Sequence, residues 1–192
     1  LNRELGIPEV PQRIAVISSP QAAGYQDFMK ELGASPYRFD VTLFGAVMQG
    51  HGAETSIIGA LDAVADRAEE FDAAVIIRGG GSQSDLSFLN SYLLSFHIAQ
   101  FPLPVIAGLG HDKDQSVVDM VAALSLKTPT AVAAFLADRA AGFDARLEGL
   151  GDEIRSCARR ILDREGKDVQ MCGALLRERV SGARLRMEWR LR

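Results

Sequence analysis

The sequence predicts an α/β fold: a parallel sheet with helices on both faces, followed by an extended helical, coiled-coil-like C-terminal segment. Three observations lead there. Short β-rich runs alternate with amphipathic stretches over the first two-thirds of the chain, the order that implies right-handed βαβ crossovers. Several of those runs are apolar throughout, as strands covered on both faces must be. Beyond Pro129, proline and strand-like alternation stop altogether.

The strands are read at Arg13–Ser18, Asp40–Phe44, Ala73–Ile77 and Pro104–Ala107. Between them, Ile57, Ile58, Leu61, Val64, Ala65 and Ala68 fall on one helical stripe. Gln21–Leu32, Asp85–Gln100 and Gln115–Leu124 are read as further helices. In the last third, Leu147, Leu150, Ile154, Cys157 and Ile161 recur in steps of three and four. A shifted seam resumes at Leu162, Val169, Cys172, Leu176 and Val180, which is a heptad pattern with one phase slip. Six glycines from Gly142 to Gly182 weaken it, each by about 1 kcal/mol relative to alanine inside a helix. Two readings stay open: a long helix or hairpin lying on its own domain, or an arm that packs on partner helices.

The composition of the 192 residues, 47% hydrophobic and 24% charged, is that of a folded chain and not a disordered one. No apolar run reaches the roughly 18 residues of a membrane span, so no membrane partner is expected. Cys157 and Cys172 are too few for a disulfide scaffold or a cysteine zinc site, which fits a reducing, cytoplasmic compartment. Leu1 is not an initiator methionine and no signal segment follows it, so the chain reads as an excised fragment. The expected organisation is a linker over 1–12, an α/β domain over 13–135 and a helical arm over 136–192. Charge is segregated. Residues 1–135 hold 8 Lys/Arg against 15 Asp/Glu, whereas residues 136–192 hold 13 against 10. The acidic first part argues weakly against a nucleic-acid partner, and the basic tail leaves phosphate contacts open.

In a parallel sheet, functional groups collect beyond the carboxyl ends of the strands. After the third strand stands Arg78-Gly79-Gly80-Gly81-Ser82, with Asp85 opening a helix. Three glycines in a row sacrifice packing, and they make sense where backbone amides approach a phosphate closely. Arg78 at the strand end can fork phosphate oxygens. The competing reading is a flexible turn beside an incidental arginine. Neither the dinucleotide fingerprint nor a P-loop is present. After the fourth strand comes Gly108-Leu109-Gly110-His111-Asp112-Lys113-Asp114. One helical turn would bring His111 and Asp114 to the same side, where the imidazole could take a proton or attack phosphorus. A capping aspartate beside a chance histidine is the plainer alternative. Asp27, read alone, is solvated helix surface. His51 follows the second strand, where it could meet a ligand. His97 is structural, and the threonines of Thr128-Pro129-Thr130 are placed to cap the last helix. These groups suggest phosphate chemistry. They do not choose between phosphodiester hydrolysis, phosphoryl transfer and nucleotide binding.

Five segments, in this order, resemble the large subunit of bacterial exodeoxyribonuclease VII: RIAVISSPQAAGYQDFMKEL, VMQGHGAE, AAVIIRGGGSQSDLSFLN, PVIAGLGHDKDQSVVDMVA and KTPTAVAAFLADR. Together they run from about Arg13 to Arg139. The resemblance implies an exonuclease that degrades single-stranded DNA and releases oligonucleotides with 5′ phosphates. It also implies a small helical subunit bound along the arm, and an amino-terminal OB-fold that does not precede Arg13 here. It brings Asp27 into the catalytic set with Arg78, His111 and Asp114. Asp27 and Asp114 would then be the ligands of any Mg²⁺, although no dense carboxylate cluster demands one. The sequence departs from the family at Lys113, in a loop that commonly reads His-Glu-Thr-Asp, and at Ser91 and Tyr92, where acidic residues are usual.

Overall fold

Five strands, all parallel, lie in the order β2-β1-β3-β4-β5. They are β1 (Arg13–Ser18), β2 (Asp40–Gly45), β3 (Ala73–Ile77), β4 (Val105–Gly108) and β5 (Leu124–Leu126). The helices are α1 (Ala23–Ala34), α2 (Ala53–Ala65), α3 (Tyr92–Ala99), α4 (Val117–Val121) and α5 (Pro129–Arg190). This computed structural model describes residues 1–50, 52–79, 87–109 and 116–190, with side chains as far as Arg184. The chain divides into two compact units, Leu1–Phe143 and Asp144–Arg192.

Alternation along β1 builds the two layers of the first unit. Ala15 and Ile17 face one way and meet Ile57, Leu61 and Val64 of α2, with Leu94 and Ile98 of α3. Ile14 and Val16 face the other way and meet Phe28 and Leu32 of α1, with Val132, Ala133 and Leu136 from the start of α5. Both faces of the sheet are therefore covered by helices, which is why the central strands are apolar throughout.

Two of the expected helices differ from the sequence reading, and a fifth strand, β5, was not expected. The helix expected over Asp85–Gln100 is instead a 3₁₀ turn, Ser87–Asn90, followed by α3. Ser91 makes the break: its Oγ accepts the amides of Leu93 and Leu94, so it caps α3 and does not continue a helix through it. The helix expected over Gln115–Leu124 is the five-residue α4, opened by a capping box between Ser116 and Asp119, and the chain then enters β5. The threonine cap occurs as expected, with Thr128 Oγ1 accepting the Ala131 amide at 3.1 Å.

Residues ahead of β1 also belong to the first unit. Asn2 is 1% exposed. Its Nδ2 donates to the carbonyls of Phe101 (3.2 Å) and Leu103 (2.6 Å). Its Oδ1 accepts the amides of Val105 (2.9 Å) and Ala123 (3.1 Å). One side chain thus fastens the chain start to the entry of β4.

Within the second unit α5 continues as one helix to Arg190 despite its glycines. Ile154, Ile161, Leu162, Val169, Leu176 and Val180 are all more than half exposed.

Candidate functional site

The chain reverses direction across the sheet between β1 and β3. β1 leads to β2 on one side, and β2 crosses back over β1 to β3. Such a switch point opens a crevice beyond the carboxyl ends of the two strands, because their outgoing loops part to opposite faces. A cleft of about 550 Å³ occupies that position. Residues 19–23 after β1, Gly45 at the end of β2 with residues 46–49 beyond it, Ser56 of α2, and Arg78 and Gly79 after β3 line it. A volume of this size suits a small ligand or one residue of a polymer.

The walls are held by backbone contacts. The Ser18 hydroxyl donates to the Ile77 carbonyl at 2.9 Å, locking the ends of β1 and β3 together. The Ala46 amide donates to the Ser18 carbonyl at 2.9 Å, and the Val47 amide donates to Ser56 Oγ at 2.9 Å. Gly24, in the first turn of α1, lies directly on the backbone of Gly79. Among the described residues no side chain caps α1, whose N-cap is Ala22, and the partial positive charge of that helix end lies beside the cleft.

Arg78 is 4% exposed. It is the one charged residue among the described lining residues, which include no carboxylate.

The two glycine-containing loops are anchored side by side. β3 and β4 are neighbours, with Ile77 in register with Gly108. The segment after β3 re-enters described structure at the turn holding Asn90, and the segment after β4 re-enters it just before α4. Asn90 Oδ1 accepts the Val117 amide at 3.1 Å, so the return points are tied as well. Gly108 is required at the second exit, where a Cβ would come within 2.7 Å of Val132 Cγ2.

These five parallel strands and their cleft occur in a chain whose residues 1–190 match the family described as "Exonuclease VII, large subunit". The chain belongs to that family. It is 34% identical to the exodeoxyribonuclease 7 large subunit of Deinococcus radiodurans, over 97% of this chain and 45% of the relative. It is 33% identical to the protein of the same name from Ralstonia nicotianae, over 99% of this chain and 44% of the relative. It is 37% identical to that of a Cyanothece species, over 68% of this chain and 31% of the relative. The chain thus spans less than half the length of these curated relatives.

Among the residues singled out for this exonuclease VII family member, Arg78 and Gly79 line the cleft. Asp27 is exposed on α1, one helical turn beyond Ala23, which lines it. Gly80, Gly81, Ser82, His111 and Asp114 lie outside the described residues, as does His51. His97 has Nδ1 2.8 Å from the Leu93 carbonyl of its own helix. Asp27 and Asp114 were the candidate Mg²⁺ ligands. Among the described residues no group of three or more His, Cys, Asp or Glu side chains gathers. Among the described residues no helix is long and apolar enough to cross a membrane.

Sequence reasoning missed Gly24 and Ser56. Gly24 stands one turn ahead of Asp27, and a glycine opening an otherwise good helix was its only signal. Ser56 carries no signal of its own in the sequence.

Proposed function

We propose that this chain carries the catalytic α/β unit of an exonuclease that hydrolyses phosphodiester bonds in single-stranded DNA and releases 5′-phosphorylated oligonucleotides. The observation that carries the proposal is the buried Arg78 at a switch-point cleft with no carboxylate in its described lining. Membership in the exonuclease VII family supports the choice of phosphodiester hydrolysis over nucleotide binding without turnover.

In this reading the guanidinium of Arg78 and the amides of the Gly79–Ser82 segment hold the scissile phosphate. They stabilise the charge that grows on its oxygens as the nucleophile arrives, the largest contribution in such reactions. His111 acts as general base on water or as the nucleophile, and Asp114 orients it. Asp27 positions the water from the rim of α1. A product with a 5′ phosphate requires the P–O3′ bond to break, so a proton must reach the departing 3′ oxygen. No step is assigned to a metal.

The partners in this reading are the single strand and the exonuclease VII small subunit. Helices of the small subunit would cover the exposed apolar seam of α5 between Leu147 and Val180. The compartment is cytoplasmic.

The test is release of acid-soluble fragments from end-labelled single-stranded DNA by the full enzyme assembly. Arg78→Ala and His111→Ala should each cut turnover by about 10²-fold or more. Near-parental cleavage by either variant overturns the assignment. Tight mononucleotide binding without any turnover by the parent would favour a non-catalytic, phosphate-binding scaffold.

A further inference from the structure

We infer that Ser56 is a further substrate-binding residue of this cleft, donating its hydroxyl proton to an oxygen of the same phosphate that Arg78 holds. The inference rests on the phosphodiester reading above and names a contact within it.

A serine hydroxyl has one proton to give and two lone pairs to accept with. Ser56 Oγ accepts the Val47 amide at 2.9 Å. Among the described residues no acceptor takes its proton. The side chain is half-buried and borders the cleft. The bond from Val47 fixes Oγ, and α2 fixes the backbone beneath it, so the remaining O–H is presented with little freedom left to lose on binding. Arg78 lines the same cleft, and the described lining has no carboxylate to compete for the proton. An anionic oxygen bound in this cleft, as the phosphodiester reading requires, is the acceptor such a hydroxyl suits.

The same bond makes Ser56 a support for the loop after β2, so the experiment must separate the two roles. The probe is the thymidine dinucleotide TpT, which has a single internucleotide phosphate, beside its neutral methylphosphonate analogue. Affinities are measured by calorimetry on the whole chain for the parent, Ser56→Ala and Ser56→Thr. The expected result is that Ser56→Ala weakens TpT binding about tenfold, the scale of one hydrogen bond to a charged group. The methylphosphonate keeps one uncharged phosphoryl oxygen, so Ser56→Ala should weaken its binding clearly less than that of TpT, and Ser56→Thr, which keeps the hydroxyl, should restore TpT binding. Equal losses on both ligands would mean that Ser56 only props the loop, and would overturn the inference. No loss on either ligand would overturn it too. A parent that does not distinguish TpT from its neutral analogue would instead sink the phosphate reading of the whole cleft. A parent that distinguishes them beside an unaffected Ser56→Ala would sink this inference alone.

Discussion

Gly24 and Gly79 meet backbone against backbone: a Cβ on Gly24 would stand 2.7 Å from both the Cα and the amide nitrogen of Gly79, and 2.8 Å from the Arg78 carbonyl. The residues in the way are main chain and cannot rotate aside. The contact seats the start of α1 on the exit of β3, and so sets the distance between the uncapped helix end and Arg78.

Gly24→Ala should therefore be costly, although alanine is the better helix former. We expect a loss of about 1–3 kcal/mol, the usual result of overpacking. Gly33 lies in the same helix with nothing within 4 Å of its would-be Cβ. Gly33→Ala should instead stabilise by about 0.5–1 kcal/mol. Urea unfolding of both variants checks the opposite signs. Two stabilised variants would contradict the contact.

Arg78→Lys should not rescue Arg78→Ala. A lysine keeps the charge but presents a single point donor where the guanidinium offers a fork. At 4% exposure the site also has no solvent to screen a misplaced ammonium. Turnover on single-stranded DNA by the full assembly should remain reduced about 10²-fold or more for the lysine variant. Recovery to near the parental rate would show that charge alone suffices.

Most of the sheet was legible because its signal is local. β1 and β3 begin and end where their apolar runs do, and β2 and β4 are displaced by a residue at most. β5 escaped because Leu124–Leu126 is three residues long at the sheet edge and is nowhere fully buried. Ser91 broke a predicted helix because a serine inside a polar-apolar pattern looks the same whether it caps or continues. In the site, Arg78 announced itself through the glycines beside it. Gly24 and Ser56 did not, because one acts through Gly79 and the other through Val47, partners that only the folded chain brings near.

Asp72 gives the first unit a pH-dependent brace. Its Oδ2 accepts the amides of Gln12 (2.9 Å) and Arg13 (2.8 Å), and its Oδ1 lies 2.6 Å from the Arg13 guanidinium. Partial burial pushes the carboxyl up, but the bonds from Arg13 and Gln12 outweigh it, and the net pKa is lowered from the ordinary 3.8. A lowered folded pKa contributes stability that is present above the unfolded value and is lost as pH falls through the folded one. Asp72→Asn should lower the melting temperature at pH 7, and the difference from the parent should vanish at a pH below the folded pKa. A gap that persists under strong acid would show that the charge is not what stabilises.

Asn2→Ala should destabilise the first unit by about 2–3 kcal/mol. The change leaves the amides of Val105 and Ala123 and the carbonyls of Phe101 and Leu103 without their side-chain partner in a site that is 1% exposed. Asp is not a conservative replacement, because its carboxylate cannot donate to the two carbonyls. Thermal melts of Asn2→Ala and Asn2→Asp should both fall below the parent. An unchanged Asn2→Ala would mean that the chain start is not fastened as described.

The exposed seam on α5 allows folding and the proposed assembly to be tested separately. Ile161 is 56% exposed and Leu176 64%, so an acid there disturbs little that the chain itself packs. Exposed substitutions of this kind usually shift stability by no more than about 0.5 kcal/mol. Against a partner helix the same carboxylate would be buried without a counter-charge, which costs far more. Ile161→Asp with Leu176→Asp should therefore leave the thermal melt of the chain near the parent's and abolish co-purification with the exonuclease VII small subunit. Retained co-purification would place the small subunit elsewhere. A collapsed melt would show instead that the seam packs within this chain, as the hairpin reading of the sequence required.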